Sequence, residues 1–135
     1  ENGKGVIWHH GPFSFANGLA RSADEKYLYV VCTWLPGVER IEINEDGTAG
    51  KREVYCTLPQ TCPDGIAFDN EENLYVGCYA PNSIFKVNKK QEVTLLINDW
   101  EAHTLSNPTN LAFDNSFSHL YTANLGRWHI GKIKM

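Results

Sequence analysis

Thr61-Cys62-Pro63-Asp64-Gly65-Ile66-Ala67-Phe68-Asp69 decides the fold of this chain. A polar turn ends in Asp64-Gly65 and runs straight into a short apolar strand. Two other stretches repeat the pattern: Phe15-Ala16-Asn17-Gly18-Leu19-Ala20 upstream and Pro108-Thr109-Asn110-Leu111-Ala112-Phe113-Asp114 downstream. Asn17 and Asp64 stand 64 − 17 = 47 residues apart, and Asp64 and Asn110 stand 110 − 64 = 46 apart. Each copy thus sets Asn or Asp at the mouth of an equivalent strand.

Working outward, every copy continues in the same way. A turn leads to Tyr27-Leu28-Tyr29-Val30-Val31-Cys32 in the first, Leu74-Tyr75-Val76-Gly77-Cys78-Tyr79 in the second and Leu120-Tyr121-Thr122-Ala123-Asn124 in the third. The Leu-Tyr pair recurs at 28, 74 and 120. A strand alternating polar and apolar residues follows at 39–43, and strands follow at 84–87 and 129–134, then outer strands at 52–57 and 92–97. Gly5 to His10 reads as one more strand, ahead of the first copy.

About four short strands every ~40–50 residues is the signature of a β-propeller blade. The expectation is all-β: three four-stranded blades at about 14–58, 61–97 and 107–135, with 5–10 as an outer strand completing another blade. Three blades do not close a ring, since propellers have about 4–8. An open arc leaves an apolar face at each end and an unpaired outer edge. Two copies joined by twofold symmetry would make six blades, so a homodimer is expected.

Composition bounds the function. The 135 residues fit one domain, with 42% hydrophobic and 21% charged residues. A net charge of −4 offers no basic surface for nucleic acid. The apolar runs are too short for a membrane-spanning helix. The chain begins at Glu1 without Met; a cytoplasmic setting is the expectation, with secreted and periplasmic settings open. Cys32, Cys56, Cys62 and Cys78 form no Cys-x-x-Cys pair and read as small hydrophobes. If a disulfide forms in an oxidising compartment, Cys56 with Cys62 is the pair to expect. The five histidines lack zinc-protease spacing, and there is neither a phosphate loop nor a Gly-x-Ser-x-Gly elbow.

The motifs Ala16-Asn17-Gly18-Leu19-Ala20, Tyr27-Leu28-Tyr29-Val30, Pro63-Asp64-Gly65-Ile66-Ala67-Phe68-Asp69 and Asn73-Leu74-Tyr75-Val76 resemble the family of gluconolactonase, regucalcin and luciferin-regenerating enzyme. The resemblance covers nearly the whole chain and corresponds to the later half of a six-bladed propeller. It implies one divalent cation in the central channel, calcium first and zinc second, with Asn17 and Asp64 among its ligands. It also implies that Asp64 is the general base. The family's Glu ligand has no counterpart here.

Oxygen ligands of this kind suit a hard cation, which would polarise a lactone carbonyl. The expected function is a metal-dependent hydrolase of a small lactone or ester. The alternatives are a half-propeller that binds a small molecule or metal without catalysis, and a fragment of a longer enzyme. Asn110 would contact substrate from the third strand mouth, and Trp34, Tyr79 and Trp128, on loops at one rim, would wall the pocket. Asp64 taken alone also reads as an Asx residue before an obligatory turn Gly; the partner Asn17 at blade spacing favours the metal site.

Overall fold

The computed structural model describes residues 3–135. It is all-β, with eleven strands among the described residues, in three antiparallel sheets. The first holds β1 (Ala16–Arg21), β2 (Tyr27–Cys32), β3 (Gly37–Ile43) and β4 (Ala49–Thr57) in that order. The second holds β5 (Cys62–Phe68), β6 (Leu74–Ala80), β7 (Ser83–Val87) and β8 (Val93–Asn98). The third has three strands only: β9 (Pro108–Phe113), β10 (His119–Asn124) and β11 (His129–Lys134).

Each sheet is a meander because short turns separate alternating strands. Asp69 shows how a turn is held. Its Oδ1 accepts hydrogen bonds from the N–H groups of Glu71 (2.9 Å) and Asn73 (2.8 Å). Asp114 does the same for Ser118 (2.9 Å) in the third sheet.

The sheets pack face to face through alternate residues. Tyr29, Val31, Val38 and Tyr55 of the first sheet meet Ile66, Leu74, Val76 and Cys78 of the second. The other face of the second sheet gives Tyr75 and Ile84 to Leu111 and Leu120 of the third. Both seams carry the same edge-to-face ring pair. Tyr29 and Phe68 have centroids 5.0 Å apart, and Tyr75 and Phe113 4.9 Å.

Within this chain residues 5–10 join no sheet, and Val6 and Ile7 are exposed. The segment from Trp8 onward folds over the free face of the first sheet. Trp8 and Phe13 pack on Val30, Cys32 and Ile41, and Trp8 Nε1 donates to the Gly47 carbonyl at 2.8 Å. Arg52 clasps the segment, with Nη1 donating to Pro12 O at 2.8 Å and its guanidinium over the Phe13 ring. Nor is Cys56 bridged to Cys62: all four cysteines are free thiols, three buried and Cys62 exposed.

Candidate functional site

The innermost strands β1, β5 and β9 line up side by side, and glycine is what lets them. A Cβ on Gly18 would lie 2.9 Å from Gly65 Cα, and one on Gly65 would lie 2.5 Å from Asn110 Cα and 2.7 Å from Thr109 O. Any side chain at Gly18 or Gly65 would collide with the next strand's backbone. The neighbouring residues Asn17 and Asp64 are thereby brought onto adjacent strands in one row.

Strand register defines the row. In β1 the pairs are Ala16↔Cys32 and Leu19↔Val30, with Asn17 and Gly18 bulged between them. In β5 they are Pro63↔Cys78 and Ile66↔Val76, with Asp64 and Gly65 between. In β9 they are Pro108↔Asn124 and Leu111↔Thr122, with Thr109 and Asn110 between. Asn17, Asp64 and Thr109 therefore share one position. Asn110 does not join them; it holds the position of Gly18 and Gly65. Its Oδ1 accepts from the Leu111 N–H at 2.9 Å, and the residue is exposed. Thr109 was missed because the copies were aligned on their polar residues. Alignment on the paired apolar residues Leu19, Ile66 and Leu111 finds it.

Asp64 is half-buried, and burial pushes its carboxyl above the ordinary value, with the nearby Asn17 amide opposing the shift. Among the described residues no Lys, Arg or His forms an ion pair with it. Asn17 Nδ2 donates weakly to Thr33 Oγ1 (3.4 Å), and the Thr33 hydroxyl donates to Pro63 O (2.8 Å). The Thr33 bridge ties the end of β2 to the start of β5. The donor set is one carboxylate and one amide, all oxygen chemistry, which fits a hard cation such as calcium. It is also incomplete: among the described residues no three His, Cys, Asp or Glu side chains come together as a metal site.

The register sets the aromatic residues at the same end of each sheet as this row. Trp34 lies in the β2–β3 turn, Tyr79 near the end of β6 and Trp128 in the β10–β11 turn. Trp34 is 75% exposed and stacks on Phe15, with centroids 4.9 Å apart. Trp128 is 89% exposed and has φ of 55°, a left-handed backbone that costs a bulky residue about 1 kcal/mol. A cleft of about 560 Å³ lies away from the row, lined by Ile97, Asp99, Trp100, Thr104 and Lys132, beside the free edge of β11.

The description "SMP-30/Gluconolactonase/LRE-like region" belongs to the family model that matches residues 2–124, and the chain belongs to that family. It is similar to a lactonase, drp35, of Staphylococcus haemolyticus: 31% identical over 104 residues, 66% of this chain and 32% of the relative. Among solved structures it is similar to a gluconolactonase from Xanthomonas campestris, at 21% identity and a TM-score of 0.70. That match covers 91% of this chain and 39% of the other. A calcium-binding protein, regucalcin, from Agrobacterium tumefaciens matches at 19% identity and a TM-score of 0.68 over 82% of this chain and 38% of the other. The structural matches show the propeller-type fold. The chain spans about a third of the length of the curated relative it matches.

Proposed function

We propose that this chain supplies the cation-holding and base-bearing blades of a lactone-hydrolysing propeller. The observation that carries the reading is the row: Asn17 and Asp64 at one register position on touching inner strands, with Asp64 half-buried and lacking a cationic partner. Family membership and likeness to lactonase drp35 support a lactone as substrate. The regucalcin match supports calcium as the ion.

Asp64 and Asn17 would hold the cation. Asn17 would offer its amide oxygen to the cation. A bound divalent cation supplies polarisation of the lactone carbonyl. Asp64 takes a proton from the attacking water and passes it to the departing ring oxygen. A carboxyl already pushed upward by burial is suited to that exchange. Thr109 presents a hydroxyl from the third row position, while Trp34, Tyr79 and Trp128 wall the mouth against the body of the lactone. Asn110, exposed one residue further along β9, would contact the substrate.

The three sheets are three consecutive blades of a six-bladed ring, and further blades complete both the ring and the ligand set. The free β11 edge with its cleft is the place of the missing outer strand. The second reading is a blade set that binds a small molecule or metal without catalysing. Calcium titration followed by thermal unfolding tests the cation. A rise in Tm for the parent and none for Asp64→Ala is the expected result; no rise for the parent at millimolar calcium overturns the reading. Turnover of a simple lactone then separates the catalytic reading from the binding one.

A further inference from the structure

Resting on the reading of Asn17 and Asp64 as cation ligands, we propose that Thr33 is a positioning residue for that pair. Its hydroxyl fixes the spacing of the two ligands across the seam between the first and second sheets.

Thr33 follows the last residue of β2 and is bonded into both sheets. Its N–H donates to the Phe15 carbonyl at 3.1 Å, just ahead of Asn17. Its hydroxyl donates to the Pro63 carbonyl at 2.8 Å, immediately ahead of Asp64. One residue thus grips the approach to each ligand. Beyond these two bonds β1 and β5 enter their bulges, with Asn17 in one and Asp64 in the other. A bulge interrupts the ladder, so strand pairing alone does not fix where those two side chains stand. Threonine suits the task because its branched Cβ restricts χ1 and leaves the hydroxyl few directions to point. Its acceptor suits it too: Pro63 is fully buried, and a buried carbonyl is normally paired.

The next seam is tied differently. Tyr79 follows Val76 as Thr33 follows Val30, and Val30 and Val76 hold the same register position opposite Leu19 and Ile66. At Tyr79 the tie runs through the main-chain carbonyl, which accepts from Asn107 Nδ2 at 2.9 Å. The hydroxyl bridge therefore stands at the seam that carries the Asn–Asp pair.

The far end of that same seam supplies a control. There the Tyr55 hydroxyl donates to the Asn88 carbonyl at 3.1 Å, a second bridge from the first sheet to the second. Asn88 follows β7, whose Val87 pairs with Leu74, so this bridge lies at the end of the seam away from the ligands. Two hydroxyl bridges thus join the same sheets, and only one of them adjoins the ligands.

Calorimetric titration with calcium, at a temperature where circular dichroism shows each variant folded, separates the two roles. Thr33→Val should weaken calcium binding about tenfold or more, the scale on which groups that orient metal ligands act. Thr33→Ser, which keeps the hydroxyl, should recover most of the parent affinity. Tyr55→Phe should lower Tm in chelator and leave calcium affinity at the parent value. Should Thr33→Val not fold, Thr33→Ala carries the same expectation. Parent-like affinity in the variant without the hydroxyl overturns the inference. So does an equal loss in Thr33→Val and Tyr55→Phe, which would make Thr33 an ordinary tie between sheets, or a Thr33→Ser variant as weak as Thr33→Val. Each of these leaves the cation reading intact. A parent chain that binds no calcium removes the cation reading itself, and this inference with it.

Discussion

The inner strands of the second and third sheets are near copies that do different jobs. Pro63-Asp64-Gly65-Ile66-Ala67-Phe68-Asp69 and Pro108-Thr109-Asn110-Leu111-Ala112-Phe113-Asp114 share register, bulge and turn aspartate. Four of seven positions are identical: Pro, Ala, Phe and Asp. Those are the residues that pair, pack or hold the turn. Of the three differences, Ile66 against Leu111 exchanges one apolar residue for another, and the other two fall at the bulge. One strand has a carboxylate and a glycine there, with a neighbour against it; the other has a hydroxyl and a side chain, with no neighbour beyond it in the chain. The repeat preserves the blade, while the two bulge residues carry the site and the seam.

The comparison breaks most severely at the carboxylate. Asp64→Thr makes the second bulge resemble the third. The expected result is loss of calcium-linked stabilisation in thermal melts, and a drop of about 10³-fold in lactone turnover, the scale on which a general base contributes. Retained calcium response in this variant would move the cation away from the row.

Next comes the glycine. Gly65→Asn copies the third strand into the second and drives a Cβ to within 2.5 Å of Asn110 Cα. Overpacking against backbone should cost about 3 kcal/mol, read from urea unfolding. A loss below about 1 kcal/mol would mean that the inner strands separate easily.

A smaller effect follows from the burial of Asp64. Its folded pKa is raised, so the folded protein holds this proton more tightly than the unfolded chain. Without cation, the stability contributed at this site is greatest below the ordinary value of 3.8 and declines as pH rises through the folded pKa. Asp64→Asn should therefore raise Tm slightly at neutral pH in chelator. Calcium affinity of the parent should fall about tenfold per pH unit below the folded pKa, since the ligand must be deprotonated. Calorimetric titration across acidic pH checks the slope.

The smallest effect is expected at the opposite member of the pair. Asn110→Gly removes an exposed side chain whose hydrogen bond is to its own strand, so the single chain should lose no more than about 1 kcal/mol, the entropy cost of a glycine in a strand. Equal penalties for Gly65→Asn and Asn110→Gly would erase the contrast between the two strands.

Much of this was legible in the residues. The Leu-Tyr spacing of 46 gave the blade period, and alternation at Ile41 and Ile43 gave a strand with one side turned inward. Asp64 and Asn17 stood out because each precedes a glycine at blade spacing. The place of the N-terminal segment was not legible: Val6, Ile7 and Trp8 have strand character, and strand propensity depends on the edge a strand meets. In this chain Trp8 packs over Val30 and Ile41.

The sequence alone determined the repeat, the fold class, the family resemblance and the residue pair most suited to a cation. Those follow from periodicity and residue chemistry, which are local and can be counted along the chain. Only the tertiary structure decided that Thr109 rather than Asn110 shares the register position of Asn17 and Asp64. A β-bulge shifts register by one residue without leaving a mark in composition, and one residue of shift exchanges the faces of a strand. Which side chain meets the channel and which meets the next blade is therefore a property of the paired strands.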